Sequence, residues 1–473
     1  MKKISNFIGK HLFLIIFIVL FGTLLIGVTY AYYAIIINAG ETTSTMTIGG
    51  GELSASFVSS NTITVSNVVP SDSPIGYKDF TLTIKNKTTS SYKLYLKTII
   101  NLNTFIDTEN DGVLYYDIYS GTNHDTVVQS KTLFPTIAKG KAILKELTIP
   151  ANTNGTTNYR LNLYFPKSSK IQNKKGELSL NAKITIENTN DTYSSNTFSM
   201  VELLSNIDKT NNGLIVDNTE DQNLRYVGMS PKNYVVFGND NELWRIVGIF
   251  NVIDSITGVT SKKIKLVRNQ PIGIYSYHES SVSSLEWSSS ILKRELNSDF
   301  IYSSLSSNQE WYVNDSSISN GIFDKSNVIK EKYFNLLSRS YWNVGDIYDS
   351  NFDVLTFYNK EKNIVDAGYV GLISVIDFIY ASTNNNCLSS MDSYCAEYNW
   401  VFDMNAGTSD NDILFLTQFD QLVMAFKVDT GNLAYLELGM DIGNVYPSVY
   451  LNSDVIYNGG DGSSTNPYTL LTN

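Results

Sequence analysis

The chain has 473 residues, which is too long for one ordinary hydrophobic core and predicts two to three folded units. Hydrophobic residues make up 42% of it and charged residues only 17%, so it is neither a disordered chain nor a protein with many membrane spans. The net charge of −11 argues against a nucleic-acid partner, because no basic stripe is present to displace phosphate counterions.

The N-terminus carries a membrane-targeting pattern. Lysines at positions 2, 3 and 10 precede a stretch without charges, which we assign to residues 12–37. About 20 apolar helical residues span a bilayer, so this stretch is long enough to be a transmembrane anchor. Because the lysines stand before the stretch, residues 1–11 are expected in the cytoplasm and the rest of the chain outside. The prediction is a single-pass protein of the cell membrane, held in the lipid bilayer by its N-terminal helix.

A cleaved signal peptide is the alternative interpretation of the same stretch. Thr29 and Ala31 place small residues where a signal peptidase inspects the chain, and cleavage after Ala31 would release a secreted protein. The apolar core is longer than that of a usual signal peptide, which favours retention. Both interpretations predict export.

Residues 45–190 show the alternation of an antiparallel sheet. Apolar and polar side chains alternate in several runs, for example between Phe80 and Ile84 and between Tyr159 and Phe165. Clusters of Asn, Gly and Ser separate the runs, and no helical pattern interrupts them. We therefore predict an all-β sandwich.

The order of short motifs in this part resembles the camelysin/TasA-like family of exported Gram-positive surface and biofilm-fibre proteins. The motifs are Thr29 to Tyr32 at the end of the apolar stretch, Val69 to Asp72, Phe80 to Asn86, and Leu147 to Pro150 before Tyr159. The resemblance covers about a third of the chain and implies a jelly-roll-like sandwich. Camelysin has been called a metalloprotease, but this sequence has no His-Glu-x-x-His motif, so no activity is carried over.

One loop in this part has the spacing of a calcium site. Asp107, Glu109 and Asp111 occupy the first, third and fifth positions of a calcium loop and are followed by Gly112. The twelfth position is Ile118, where a bidentate glutamate belongs. A polar hairpin turn explains the same residues and is the preferred interpretation, so no metal site is predicted.

Residues 191–200 have the composition of a linker, and residues 201–473 predict a second, α+β domain. Three short helices are expected: one at Val201 to Leu204, one capped by serine before Ile291, and one that begins at Ser374. Strands are expected at Tyr234 to Phe237, Leu243 to Phe250, Lys263 to Val267, Ile413 to Leu416, Leu422 to Val428 and Val445 to Leu451.

This second domain resembles a domain that is widespread in uncharacterised Gram-positive surface proteins. The shared features, in order, are Leu224 to Gly228, Asn233 to Val236, Glu242 to Gly248, Lys263 to Arg268, Trp287 to Asn297, Tyr369 to Leu372, Tyr446 to Leu451 and Gly459 to Tyr468. Two of them, Leu243 to Gly248 and Tyr446 to Leu451, are also distantly similar to the C-type-lectin-like fold of formylglycine-generating enzymes. The latter similarity concerns the fold alone, and function does not follow from fold.

The chain contains two cysteines, Cys387 and Cys395, eight residues apart in a polar loop. In an oxidising compartment they are expected to form a local disulfide. A metal site would need more soft ligands, and His11, His124 and His278 are the only histidines.

No motif predicts catalysis. His278 is the single histidine of the second domain, and no spacing of a nucleophile with a base or of metal ligands is present. We therefore expect no catalytic residues, no cofactor and no enzymatic activity; a cell-surface hydrolase is the weaker alternative.

Two functions remain for such a chain. The first is a membrane-anchored surface protein for adhesion or ligand binding, with a glycan or a matrix protein as its ligand. The second is a structural subunit of a surface or biofilm-matrix fibre that a signal peptidase releases and that self-associates through sheet edges.

Overall fold

The computed structural model describes residues 41–48, 53–60, 62–66, 68–87, 89–172, 178–187, 189–278, 286–301, 324–345, 353–388, 393–405, 412–419, 422–427, 433–436 and 442–472. They form two compact units, divided between Asn196 and Thr197. The predicted membrane segment at residues 12–37 and the cleavage site after Ala31 lie outside these residues. Among the helices of the described ranges, none is long and apolar enough to cross a membrane.

The first unit consists of strands. They are β1 (Glu41–Ile48), β2 (Leu53–Ser60), β3 (Ile63–Ser66), β4 (Gly76–Asn86), β5 (Tyr92–Asn103), β6 (Ile106–Asp107), β7 (Gly112–Val113), β8 (Tyr115–Ser120), β9 (Thr126–Leu133), β10 (Lys139–Ile149), β11 (Asn154–Tyr164), β12 (Ser179–Glu187) and β13 (Tyr193–Ser195).

These strands form two main sheets, in the orders β1-β2-β4-β11-β8-β9 and β13-β10-β5-β12-β3. Alternate side chains of both sheets enter one hydrophobic core, among them Leu82 and Leu161 from the first sheet and Leu94 and Ile184 from the second. The alternation of apolar and polar residues in the sequence reflects this arrangement, because one face of each strand is buried and the other is exposed to solvent. The prediction that this part of the chain is rich in strands is confirmed.

The end of the first unit differs from the linker expected at residues 191–200. Tyr193–Ser195 pairs with β10 as an edge strand, with Lys139 opposite Ser195. The buried Lys97 ammonium group also binds Glu187 Oε2 and Asp191 Oδ1, each at 2.8 Å. Composition did not reveal this strand, because its pairing depends on residues more than 50 positions away.

The second unit contains both strands and helices. Its strands are β14 (Leu214–Val216), β15 (Leu224–Tyr226), β16 (Tyr234–Val236), β17 (Leu243–Ile253), β18 (Thr260–Arg268), β19 (Ile274–Ser276), β20 (Ser340–Asn343), β21 (Val365–Gly368), β22 (Val370–Gly371), β23 (Asp412–Phe419), β24 (Leu422–Lys427), β25 (Leu433–Leu436), β26 (Ile442–Asn444), β27 (Ser448–Tyr450), β28 (Tyr457–Gly459) and β29 (Thr469–Leu470). Its helices are α1 (Met200–Asn206), α2 (Lys209–Asn212), α3 (Ile291–Leu296), α4 (Glu331–Phe334), α5 (Val354–Glu361), α6 (Val375–Ala381) and α7 (Trp400–Asn405).

The largest sheet of this unit has the order β14-β15-β17-β18-β27-β22, with β16 also paired to β17. A second sheet has the order β19-β26-β23-β24-β25. Four tryptophans are almost completely buried in this unit, at positions 244, 287, 342 and 400. Burial of so many large rings indicates a well-filled core.

The helix starts follow the capping residues in the sequence. Ser290 caps α3 by accepting a hydrogen bond from the Lys293 backbone N–H. Ser374 caps α6 in the same way by accepting from the Asp377 N–H. The Asp377 carboxylate in turn accepts a hydrogen bond from the Ser374 N–H, which completes a capping box. Both predicted serine-capped helices are confirmed.

Candidate functional site

A row of four residues crosses the largest sheet of the second unit. Arg225 on β15 lies opposite Gly248 on β17, Gly248 lies opposite Lys265 on β18, and Lys265 lies opposite Tyr450 on β27. Residues directly opposite each other in antiparallel strands share a face of the sheet. A Cβ at Gly248 would lie 2.2 Å from the Leu224 carbonyl oxygen, so the close approach of β15 requires glycine there.

Asp377 connects the two cations of this row. Its carboxylate, at the start of α6, accepts from Arg225 Nη1 at 2.8 Å and from Lys265 Nζ at 2.5 Å. Burial by itself would raise the pKa of Asp377, but the charges of Lys265 and Arg225 outweigh that effect and hold its pKa below the usual range. Asp377 is therefore an ionised carboxylate inside the unit.

Asp217 balances the remaining charge. Its Oδ2 atom accepts from Arg225 Nε at 2.6 Å, and its carboxylate also accepts from Thr219 and Asn223. Two buried cations are thus matched by two buried carboxylates. Aromatic rings flank the cations: Phe250 and Tyr380 lie 4.7 and 4.8 Å from the Arg225 guanidinium, and Trp342 and Tyr450 lie 5.2 and 5.8 Å from the Lys265 ammonium.

Glu361, the last residue of α5, is a third buried carboxyl beside these groups. Its residue surface is 3% exposed, and its carboxyl accepts a hydrogen bond from Thr417 Oγ1 on β23. Burial raises the pKa of Glu361 to about 7, and the Asp377 charge adds to this, while the Thr417 hydrogen bond and the two cations oppose it. Glu361 is therefore partly protonated at neutral pH.

These charged groups line a cavity of about 300 Å³. Arg225, Lys265, Asp377 and Glu361 contribute charged groups to it, and the exposed Tyr341 lies on its lining. The volume is at the lower end of the range for small-molecule sites, which suits a ligand of one or two rings.

A second cavity of about 220 Å³ adjoins the first. The two share four lining residues, Asp221, Asn223, Phe250 and Asn251, so they lie side by side. We call this pair of cavities the groove.

The lining of the groove is charged and polar. Apart from Glu361, the charged groups of the main cavity are fixed by ion pairs, and its remaining polar lining includes the amides of Asn223, Asn251 and Asn343. Among the described residues that line it, none is a histidine or a cysteine. Such a lining offers hydrogen-bond donors and acceptors to a polar ligand.

The two cysteines expected to pair do so: Cys387 and Cys395 form a disulfide, and both are completely buried.

Two carboxylates of the calcium-like loop form hydrogen bonds within the protein. Asp107 accepts from the side chain of Asn110, and Asp111 accepts from Ser168 and Lys170. Across the described ranges, no group of three or more His, Cys, Asp or Glu side chains is placed to hold a metal ion.

Sequence reasoning did not select Arg225, Lys265, Asp377 or Glu361 as site residues. A signal was present for the cations, because each is a charged residue inside an apolar strand pattern: Arg225 between Leu224 and Tyr226, and Lys265 between Ile264 and Leu266. Charges at such positions are seldom buried unless they are paired. Asp217 lies eight positions before Arg225, but the shared partner Asp377 lies 112 positions from Lys265 and 152 from Arg225, so that pairing was not visible.

No protein-family model matches the chain, and a search of curated proteins finds no match.

Proposed function

We propose that the protein is an exported, membrane-anchored cell-surface protein whose second unit binds a ligand in the groove. One observation carries the ligand-binding part of this proposal. The groove contains Glu361, a buried carboxyl for which the described residues supply a hydrogen bond but no ion pair. Buried ionisable groups that have no charged partner are characteristic of binding sites.

The sequence pattern supports export and anchoring. Three lysines precede the apolar residues 12–37, which gives a cytoplasmic N-terminus and extracellular units. The Cys387–Cys395 disulfide supports the same location, because disulfides persist mainly in oxidising compartments. The proposed partners are thus the lipid bilayer and a glycan or matrix protein outside the cell.

We further propose that each unit has the finer fold that its motifs imply. The first would be a jelly-roll-like sandwich of the camelysin/TasA-like type, which its two facing sheets support. The second would be a C-type-lectin-like domain, which is supported by its mixture of short helices with two larger sheets. Under this proposal the protein is non-catalytic.

A second candidate function is a fibre subunit released by cleavage after Ala31. Strand β9 lies at the edge of its sheet and has exposed apolar side chains, Val127 at 56% and Leu133 at 43%. Exposed edges of this kind can pair with another chain. Assembly of the released chain that increases with its concentration would support this function, and a strict monomer would refute it.

The ligand-binding proposal is tested with the detergent-solubilised full chain on an array of glycans and matrix proteins. The Asn251→Trp variant places a large ring where the two cavities meet, at an exposed position of β17. Asn158→Trp on β11 is the matched control, because it is also an exposed strand asparagine but lies in the first unit.

We expect the wild type and Asn158→Trp to retain the same ligand and Asn251→Trp to bind it at least about tenfold more weakly. An array with no retained ligand would contradict the proposal. Equal binding by all three proteins would place the ligand elsewhere.

A further inference from the structure

Glu361 differs from the other carboxylates that line the main cavity. Within the described residues, Asp221 pairs with Lys362 at 2.6 Å and Asp377 pairs with Lys265 at 2.5 Å. Glu361 has a hydroxyl partner, Thr417, and no ion pair there. Only 3% of the Glu361 surface is exposed, and the residue nevertheless lines the main cavity.

The charge balance around Glu361 determines which ligand group it favours. Arg225 and Lys265 are matched by Asp217 and Asp377, so an ionised Glu361 adds one negative charge to a neutral buried set. A buried charge without a partner is costly, and a cation within a few ångströms removes much of that cost. A ligand ammonium group would supply this cation.

The rest of the main cavity favours a sugar as the carrier of that ammonium group. Its uncharged polar lining includes amide and hydroxyl groups from Asn251, Asn343, Thr260 and Ser374, which can exchange hydrogen bonds with sugar hydroxyls. Tyr341 is 36% exposed and gives an aromatic surface for the apolar face of a ring. A lysine side chain would satisfy Glu361 but would bring no hydroxyl groups to these polar residues.

We propose that the groove binds an amino sugar with a free ammonium group and that Glu361 accepts this group. The inference rests on the proposed function, since it names the class of ligand for the same groove. The adjoining cavity extends the site, so an oligosaccharide of such sugars would occupy more of it than a single residue.

This assignment has a pH dependence that follows from the surroundings of Glu361. The charged groups facing it are Asp377 on α6, Arg225 on β15 and Lys265 on β18, and Thr417 on β23 donates to it. The pKa of Glu361 is about 7 in the free protein, so about half of the molecules carry an ionised Glu361 at pH 7. The ammonium group must bind these molecules or displace the proton from the Glu361 carboxyl of the others. Affinity for the ammonium form of the ligand should therefore fall about fivefold from pH 7 to pH 6, as the ionised fraction of Glu361 falls.

The test is isothermal titration calorimetry of the full chain in detergent with two matched probes. One is a tetramer of D-glucosamine and the other is the same tetramer with every amine acetylated, which replaces each ammonium group by a neutral amide. We expect the free-amine tetramer to bind at least about tenfold more tightly at pH 7. Below about pH 6, where the amines of the sugar are already protonated, its binding should release most of a proton from Glu361, measured as a dependence of the heat on the buffer's ionisation enthalpy.

Two variants assign the effect to one carboxyl. Glu361→Gln keeps the shape and the contact with Thr417 and should abolish the preference for the free amine. Glu146→Gln, on β10 of the first unit, changes a carboxylate whose side chain is 42% exposed and should keep the preference. Proton release is measured on the wild type, so the test stands even if Glu361→Gln folds poorly.

Three results would overturn the inference: equal binding of the two tetramers, binding of neither, or an unchanged preference in Glu361→Gln. Tighter binding of a lysine derivative, Nα-acetyl-lysine methylamide, than of the free-amine tetramer would also overturn the assignment to a sugar. If the acetylated tetramer binds as well as the free amine and Asn251→Trp removes both, the proposed function survives and the ammonium assignment fails.

Discussion

The two units handle buried charge in different ways. In the first unit, Lys97 is buried, but its partners Glu187 and Asp191 have side chains that are 27% and 56% exposed. In the second unit, the side chains of Asp217, Arg225 and Asp377 are each at most 3% exposed. The first arrangement fastens the end of the unit to its sheet. Arg225 and Asp377 of the second arrangement line a cavity, and for this reason we propose ligand binding in the second unit.

The difference has energetic consequences. An exposed ion pair stabilises a protein by about 0–1 kcal/mol, because water screens it and long side chains lose entropy. Removing one partner of a buried pair costs about 3–5 kcal/mol, because the other charge stays buried without compensation. Charge-removing substitutions should thus affect the two units very differently.

The largest effect is expected for Asp377→Ala. It leaves Arg225 and Lys265 with one carboxylate between them and also removes one arm of the α6 capping box. We expect the free energy of unfolding of the second unit to fall by about 3–5 kcal/mol, measured by urea denaturation. The matched change Asp191→Ala in the first unit should cost much less, because water screens the exposed Asp191 carboxylate. Equal losses would remove the contrast between the units.

A smaller effect of opposite sign is expected for Glu361→Gln. The pKa of Glu361 is about 7 in the folded protein and about 4.3 in an unfolded chain, so folding takes up a proton between these values. Its raised pKa therefore costs nothing below about pH 4 and an increasing amount up to about pH 7. Relative to wild type, Glu361→Gln should gain up to about 3 kcal/mol of unfolding free energy between pH 5 and pH 8. A stability difference that does not change with pH would contradict the burial of an ionisable Glu361.

The disulfide should contribute about 2–3 kcal/mol to the second unit alone. It closes a short loop, and in the chain-entropy model the stabilisation rises only slowly with loop length. Paired Cys387→Ser and Cys395→Ser substitutions should lower the melting temperature of the second unit and leave the first unchanged. A common shift of both transitions would indicate that the units do not melt independently.

The smallest effect is expected for calcium. Because Asp107 and Asp111 already accept hydrogen bonds within the first unit, added calcium should leave its melting temperature unchanged within about a degree. Asp107→Asn should behave like the wild type in the same titration. A calcium-dependent rise that Asp107→Asn abolishes would restore the metal site.

Local features were the ones that the sequence could predict. The alternation around Phe80 and Tyr159 marked strands, and Ser290 and Ser374 marked helix starts, because these signals lie within a few residues. The strand at Tyr193–Ser195 escaped prediction because its partner strand is distant and its own composition is that of a linker. The groove escaped for the same reason: contacts between distant segments create it.

The roles of single residues were also hidden. Asp377 was foreseen only as part of a capped helix, yet its carboxylate also neutralises Arg225 and Lys265. Glu361 had no distinguishing sequence context, since 46 acidic residues are present. Its burial, which gives it an unusual pKa, follows only from tertiary packing.

The most direct measurement of the central claim is the dissociation constant of the ligand retained on the array, determined for the wild type, Asn251→Trp and Asn158→Trp. If the groove is the binding site, Asn251→Trp weakens binding at least about tenfold, because its ring occupies the junction of the two cavities, and Asn158→Trp matches the wild type. Identical dissociation constants for all three proteins would contradict the assignment of the groove.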